Sequence, residues 1–214
     1  TVNEGIGIVD TGTNDTIVQG NYIGTDATGT AAMGTGRSAV TAAGGTGTVI
    51  GGDTVGAGNV IANSAADGVR VYNTGTSASI LGNAIYNNAQ EGIDVRNDGV
   101  SLNDGALLAG EPNLMMDFPV FTESSVSGST LTVAGYIGVN PLGDTDFAGA
   151  RVEMFLSSND GAYGEGQVFL GFLTADANGL FSGTLTLTTA VQVGDHLTAT
   201  ATSTTNQTSE FCAN

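Results

Sequence analysis

The sequence has no lysine and no tryptophan, a single histidine, a single cysteine and three prolines. Its cations are four arginines, Arg37, Arg70, Arg96 and Arg151, against 21 Asp and Glu, for a net charge of −17. So few cations cannot build the basic face that displaces counterions from a phosphate backbone, which excludes a nucleic-acid binder. Scarce proline and the absence of a strict glycine triplet exclude collagen. No apolar run approaches the ~18 residues of a membrane-spanning helix. With Cys212 alone, no internal disulfide can form; a semi-buried thiol near the end is expected, with an intermolecular bridge as the alternative. Thr1-Val2-Asn3-Glu4-Gly5 has neither the basic region nor the apolar core of a signal peptide, so a mature product or a piece of something longer is expected.

What is present is equally informative. Apolar residues make up 40% of the chain and charged residues only 12%, so the acidic balance is not that of a disordered tail. The length suits one large or two small domains. The 34 glycines fall into a pattern. Gly58-Asn59-Val60-Ile61-Ala62-Asn63 returns as Gly82-Asn83-Ala84-Ile85-Tyr86-Asn87, and Gly68-Val69-Arg70-Val71 returns as Gly92-Ile93-Asp94-Val95. Asn73 returns as Asn97, and every one of these steps is 24 residues. Gly20-Asn21-Tyr22-Ile23-Gly24 and Gly5-Ile6-Gly7-Ile8 are earlier, offset copies, separated from the regular ones by an insertion rich in Gly, Thr and Ala within 25–58.

A leucine-rich repeat would need several leucines per unit, and residues 1–100 hold only Leu81. A helical repeat would need apolar residues at 3.6 spacing. Here they are β-branched, alternate with polar residues and are punctuated by Gly and Asn, so short strands with tight corners are expected. That pattern predicts a parallel β-helix of about four coils over 1–97, each coil bonded to its neighbours. Ile61/Ile85, Val69/Ile93 and Val71/Val95 should stack inside as aliphatic ladders. Outside, Arg70 and Asp94 fall one coil apart, a surface ion pair worth under about 1 kcal/mol. Asn59/Asn83, Asn63/Asn87 and Asn73/Asn97 should form corner ladders, because asparagine tolerates the left-handed conformation and its amide can bond the next coil.

The period stops after Asn97, and all eight phenylalanines lie at or beyond Phe118. Residues 98–119 read as a linker or cap, with Met115, Met116 and Phe118 expected to plug the end of the coils. Residues 120–214 read as a β-sandwich with strands near 130–139, 150–157, 167–175, 180–188, 196–203 and 209–213. Asp176-Ala177-Asn178-Gly179 is expected as a hairpin turn, and the strand count suits an immunoglobulin-like sandwich. The class is all-β throughout.

Three sets of residues carry a resemblance. They are the run from Gly20-Asn21-Tyr22-Ile23-Gly24-Thr25-Asp26 to Thr30 with Gly56-Ala57-Gly58-Asn59-Val60-Ile61, the run Gly92-Ile93-Asp94-Val95 with Asn97-Asp98-Gly99-Val100, and the tail Tyr163-Gly164-Glu165-Gly166-Gln167-Val168-Phe169-Leu170-Gly171 with Asn206-Gln207-Thr208-Ser209-Glu210-Phe211. Together they resemble large secreted bacterial surface proteins with right-handed parallel β-helix repeats of the pectin-lyase-like type. The likeness implies secretion and a cell-surface location, and says little about activity. In similar proteins the linker is rich in Asp and suited to calcium; here Asp104-Gly105-Ala106-Leu107-Leu108-Ala109-Gly110-Glu111 lacks most of those carboxylates.

Enzymes on this scaffold cleave acidic polysaccharides with clustered carboxylates. Asp67 and Glu91, one coil apart, and Asp94 are the only candidates on the regular strands, and solvated or corner roles account for them without catalysis. His196 has no Ser or Cys partner pattern, and Gly44-Gly45-Thr46-Gly47 lacks the lysine of a phosphate loop. Asp144/Asp146 and Asp160/Glu165 are loop carboxylates that could take calcium. The expectation is therefore a non-catalytic structural or adhesive extracellular module, self-assembling end to end into a filament or layer. The alternatives are a carbohydrate-binding or degenerate lyase- or hydrolase-like module with glycan partners, and a calcium-dependent adhesin.

Overall fold

A computed structural model describes residues 4–157 and 163–213. The protein is all-β; the only helical pieces among the described residues are 3-10 turns at Pro112–Met115 and Thr145–Phe147. Ten short strands fill the first half: β1 (Ile6–Val9), β2 (Ile17–Val18), β3 (Tyr22–Ile23), β4 (Val40–Ala43), β5 (Thr48–Gly51), β6 (Val60–Ala62), β7 (Val69–Val71), β8 (Ala78–Leu81), β9 (Ala84–Tyr86) and β10 (Ile93–Val95). They form three parallel sheets, ordered β1-β4-β7-β10, β2-β5-β8 and β3-β6-β9. The chain visits the three in rotation, so every circuit lays one strand on each.

The register explains the sequence period. Ile61 pairs with Ile85, Val69 with Ile93 and Val71 with Val95, and all six are buried. Ile23, Val40 and Ala42 extend these rows into earlier circuits. A further row, Val18, Ile50 and Ile80, crosses the second sheet, hidden from a fixed 24-residue search because loop lengths differ there. Asn63, Asn87, Asn73 and Asn97 have φ of 58°, 55°, 72° and 64°, the left-handed corner conformation that asparagine adopts at modest cost. Asn59 and Asn83 work differently: the Asn83 Oδ1 accepts from the Asn59 backbone N–H (2.9 Å) and side-chain amide (2.8 Å).

The second half holds β11 (Pro119–Ser127), β12 (Thr130–Ile137), β13 (Arg151–Ser157), β14 (Gly166–Thr174), β15 (Leu180–Thr186) and β16 (Leu197–Thr202). These form two antiparallel sheets, β11-β12-β15 and β14-β13-β16, sharing a core that includes Leu131, Ile137, Phe147, Met154 and Phe181. Strand β11 escapes the alternation rule because Thr122, Glu123, Ser124 and Ser125 give it an exposed, polar middle. The Asp176–Gly179 turn closes locally, with Asp176 Oδ1 accepting from Asn178 and Leu180. It makes no hairpin, however: β14 and β15 pair into opposite sheets. Residues 209–213 form no regular strand, although Ser209 and Cys212 donate to Ala201 and Ala199 of β16.

The plug between the halves also differs from expectation. Met116 and Phe118 are buried in the core of the second half. The core of the first half is closed instead by Phe155 and Phe211, with Met115 packed against it. The Phe155 and Phe211 rings meet edge to face at 5.5 Å. Phe211 lies so close to Gly92 that a Cβ there would stand 2.9 Å from the ring. One circuit earlier, the same position, Gly68, meets the backbone of Gly92; the ring occupies the place of a further circuit.

Candidate functional site: the sealed end of the three sheets

An outer strand of a sheet leaves one row of N–H and C=O groups unpaired, and each buried N–H without an acceptor costs about 1–3 kcal/mol. On the last circuit, five side chains from beyond the repeat accept from N–H groups of this edge. Along β8, the Ala78 N–H donates to Asn113 Oδ1 (2.7 Å), Ile80 N–H to Thr208 Oγ1 (2.8 Å) and Gly82 N–H to Glu153 Oε2 (2.8 Å). On β10, Val95 N–H donates to Glu210 Oε1 (2.8 Å), whose second oxygen takes the Ser101 N–H (2.8 Å). At the corner after β9, the Asn88 side-chain amide donates to Glu165 Oε1 (2.7 Å). That corner is a ladder in its own right: Ser64 N–H donates to Asn88 Oδ1 (3.1 Å) as Asn88 N–H does to Glu165 (3.2 Å). Glu165 is thus the last rung, supplied by another part of the chain.

Asn113, Glu153, Glu165, Thr208 and Glu210 are all buried. Arg151 pairs with Glu153 (2.8 Å) and with Asp53 (2.8 Å), and its guanidinium stacks 3.5 Å from the Phe172 ring, so the carboxylate on Gly82 is charge-balanced. Burial raises Glu153 above the usual carboxylate range despite Gly82 and Arg151. Burial also pushes Glu210 up to about 8, with Asp94 and Glu91 adding repulsion and the Ser101 and Val95 N–H groups opposing both.

Other carboxylates gather near this end. Asp67 accepts from the Ser38 hydroxyl (2.8 Å), while its Oδ1 is buried without a partner. Glu91 and Asp94 are both raised, first by burial and then by neighbouring acids. Asp117, raised by burial to about 6, accepts from Asp104 and Gly105 N–H groups. It lines a 210 Å³ cavity with Asp98, Asp104 and Glu210.

Arg70 and Asp94 stand opposite one another in register but do not form the expected ion pair. Asp94 turns to the N–H groups of Asn97 (2.8 Å), Asp98 and Gly99 (both 3.3 Å); a carboxylate served by three local donors has little to gain from crossing to its neighbour. Arg70 reaches Glu4 (3.3 Å) and Asn97 Oδ1 (3.1 Å) instead. Of the suggested calcium ligands, Asp144 caps the Asp146 N–H (3.0 Å), Glu165 accepts from Asn88, and Asp160 lies outside the described residues. Among the described residues no group of three or more His, Cys, Asp or Glu is placed to hold a metal ion, and no helix is long and apolar enough to cross a membrane.

Sequence reasoning missed all five sealing roles. One signal was available: Glu153 sits in the apolar run Val152-Glu153-Met154-Phe155 of β13, and a lone acid in a buried strand must have a partner. No protein-family model matches the chain.

Proposed function

We propose that this chain is a non-catalytic structural module of an extracellular bacterial surface protein. On this reading it is a short right-handed parallel β-helix of about four coils, ended by an immunoglobulin-like β-sandwich that acts as its cap. One observation carries the proposal: three buried carboxylates at the junction, Glu153, Glu165 and Glu210, are spent on the N–H groups of the last circuit. A catalytic acid needs a face open to substrate, and these have none. The free stacking into filaments expected from the sequence gives way to a narrower reading, in which the edge formed by β8, β9 and β10 is taken up by the cap.

A second reading, a polysaccharide-cleaving module, has one observation in its favour: Glu91 and Asp94 are held above the usual range beside Asp67. Incubation with pectic, alginate and other acidic glycans separates the two. The structural reading expects no new reducing or unsaturated ends. Turnover that disappears in Asp67→Asn or Glu91→Gln would replace it with the enzymatic one.

A further inference from the structure

The second half leaves the edge of β11 open. In the sheet β11-β12-β15, strand β11 has a neighbour on one side only among the described residues. The Ile137 N–H of β12 donates to Gly179 (3.2 Å), on the β15 side. Main-chain groups alternate along a strand, so those of Gly135, Val133 and Leu131 also turn towards β15. Their partners on β11, Phe121, Ser124 and Val126, therefore direct N–H and C=O away from β12. None of these three N–H groups has a hydrogen-bond partner among the described residues. By contrast, the carbonyls of Ala199 and Ala201 on β16 accept from Cys212 and Ser209, and Leu180 at the start of β15 is bonded to Asp176.

Two cavities of 380 and 270 Å³ run along this edge and share Ser124, Asp195 and Leu197. Phe118, Phe121 and Cys212 line the first, and Val126, Leu131 and Val191 the second. The result is a groove with an apolar floor and a row of free main-chain donors along one wall. Its rim is acidic, because Glu123 and Asp195 are both exposed. Side chains alternate along β11, so Ser124 and Val126 share the face of the buried Val133 and Leu131, while Glu123 points to the outer face.

We propose that the β11 edge is a docking site for an extended, basic peptide segment of a partner protein, added to the sheet as a further strand. A strand offers acceptors and donors at the repeat set by Phe121, Ser124 and Val126. Its side chains alternate in direction, so apolar ones enter the two cavities and those between them lie on the Glu123 side. Opposite charges on neighbouring strands attract and like charges repel, which selects Lys or Arg at those outer positions. A second copy fits less well, since it would set two chains of charge −17 against each other. Docking here does not depend on the structural reading above.

The test titrates a labelled peptide of about seven alternating lysine and valine residues onto the whole chain, read by fluorescence anisotropy in about 0.15 M salt. The wild type should bind it at least about tenfold more tightly than the same peptide with glutamate for lysine. Ser124→Pro removes one outward N–H and no bond to β12. It should fold as the wild type does and bind at least about tenfold more weakly, whereas Ser124→Ala keeps the N–H and should bind normally. Hydrogen exchange at Phe121, Ser124 and Val126 should slow when the peptide is present. No binding by the wild type, equal binding of the two peptides, or undiminished binding by Ser124→Pro overturns the proposal. If Ser124→Pro does not fold, the fully N-methylated lysine peptide decides. Its failure to bind supports main-chain pairing, and undiminished binding shows charge attraction alone and overturns it. A dimer of the wild type without peptide, dissolved by Ser124→Pro in light scattering, would make a second copy the occupant and overturn the peptide.

Discussion

The two ends of the coiled half face the same physical problem and meet it differently. At the first circuit, β1, β2 and β3 have, among the described residues, a strand neighbour on one side only, and Val9, Ile17 and Tyr22 are exposed. At the last circuit every second N–H along β8 has a buried side-chain acceptor, and two phenylalanines cover the core. The difference teaches that a repeat supplies rungs to its neighbours but cannot finish itself. The finishing groups must come from outside the repeat, as here from the Pro112–Met115 turn, β13, Glu165 before β14 and the final segment.

The largest effect that would break this comparison is removal of the lid. Phe211→Ala should destabilise the protein by about 3–5 kcal/mol, read from denaturant unfolding, because it opens the core of the coils as well as the junction. A cost under about 1 kcal/mol would mean that the last circuit closes without the ring. Next comes Glu153→Ala, expected to cost roughly 3 kcal/mol because it strands the Gly82 N–H and weakens the balance around Arg151. Its counterpart outside the seal, Arg70→Ala on β7, should cost under about 1 kcal/mol, since the Arg70–Glu4 pair is partly solvated. Equal losses would erase the distinction between a sealing carboxylate and a surface pair.

The smaller effect concerns pH. Glu210 ionises near its ordinary 4.5 in the unfolded chain but only at about 8 in the fold, and Asp117 moves from 3.8 to about 6. The folded state therefore holds more protons between these values. The stability Glu210 contributes is full below about pH 4.5 and lost as pH climbs through about 8. The Tm should fall by at least about 5 °C from pH 5 to pH 8.5, and Glu210→Gln should flatten that slope. A Tm that rises over this window would contradict the placement of Glu210.

Much of the coiled half is legible in the sequence because repetition exposes it: matches at one offset locate Ile61, Ile85, Val69 and Val71 inside and Asn63 and Asn87 at corners. The Val18–Ile50–Ile80 row is invisible to that search because inserted loops shift its spacing. The second half is legible as strands, yet its pairing is not. A four-residue turn after β14 looks the same whether the next strand folds back beside it or crosses to the other sheet. The seal is least legible, since Glu153, Glu165 and Glu210 lie more than 70 residues from Gly82, Asn88 and Val95 and recur in no pattern. The side chains of a cap answer to backbone positions, and no local signal marks such a pairing.

The most direct test of the central claim is native-state hydrogen exchange at the Ile80, Gly82 and Val95 amides. If side chains of the second half stand in for a further circuit, these three should exchange as slowly as Val49 and Val69, whose N–H groups donate to backbone carbonyls inside the stack. Exchange as fast as that of the Ile17 amide on the open edge would show the last circuit unsealed and contradict the account.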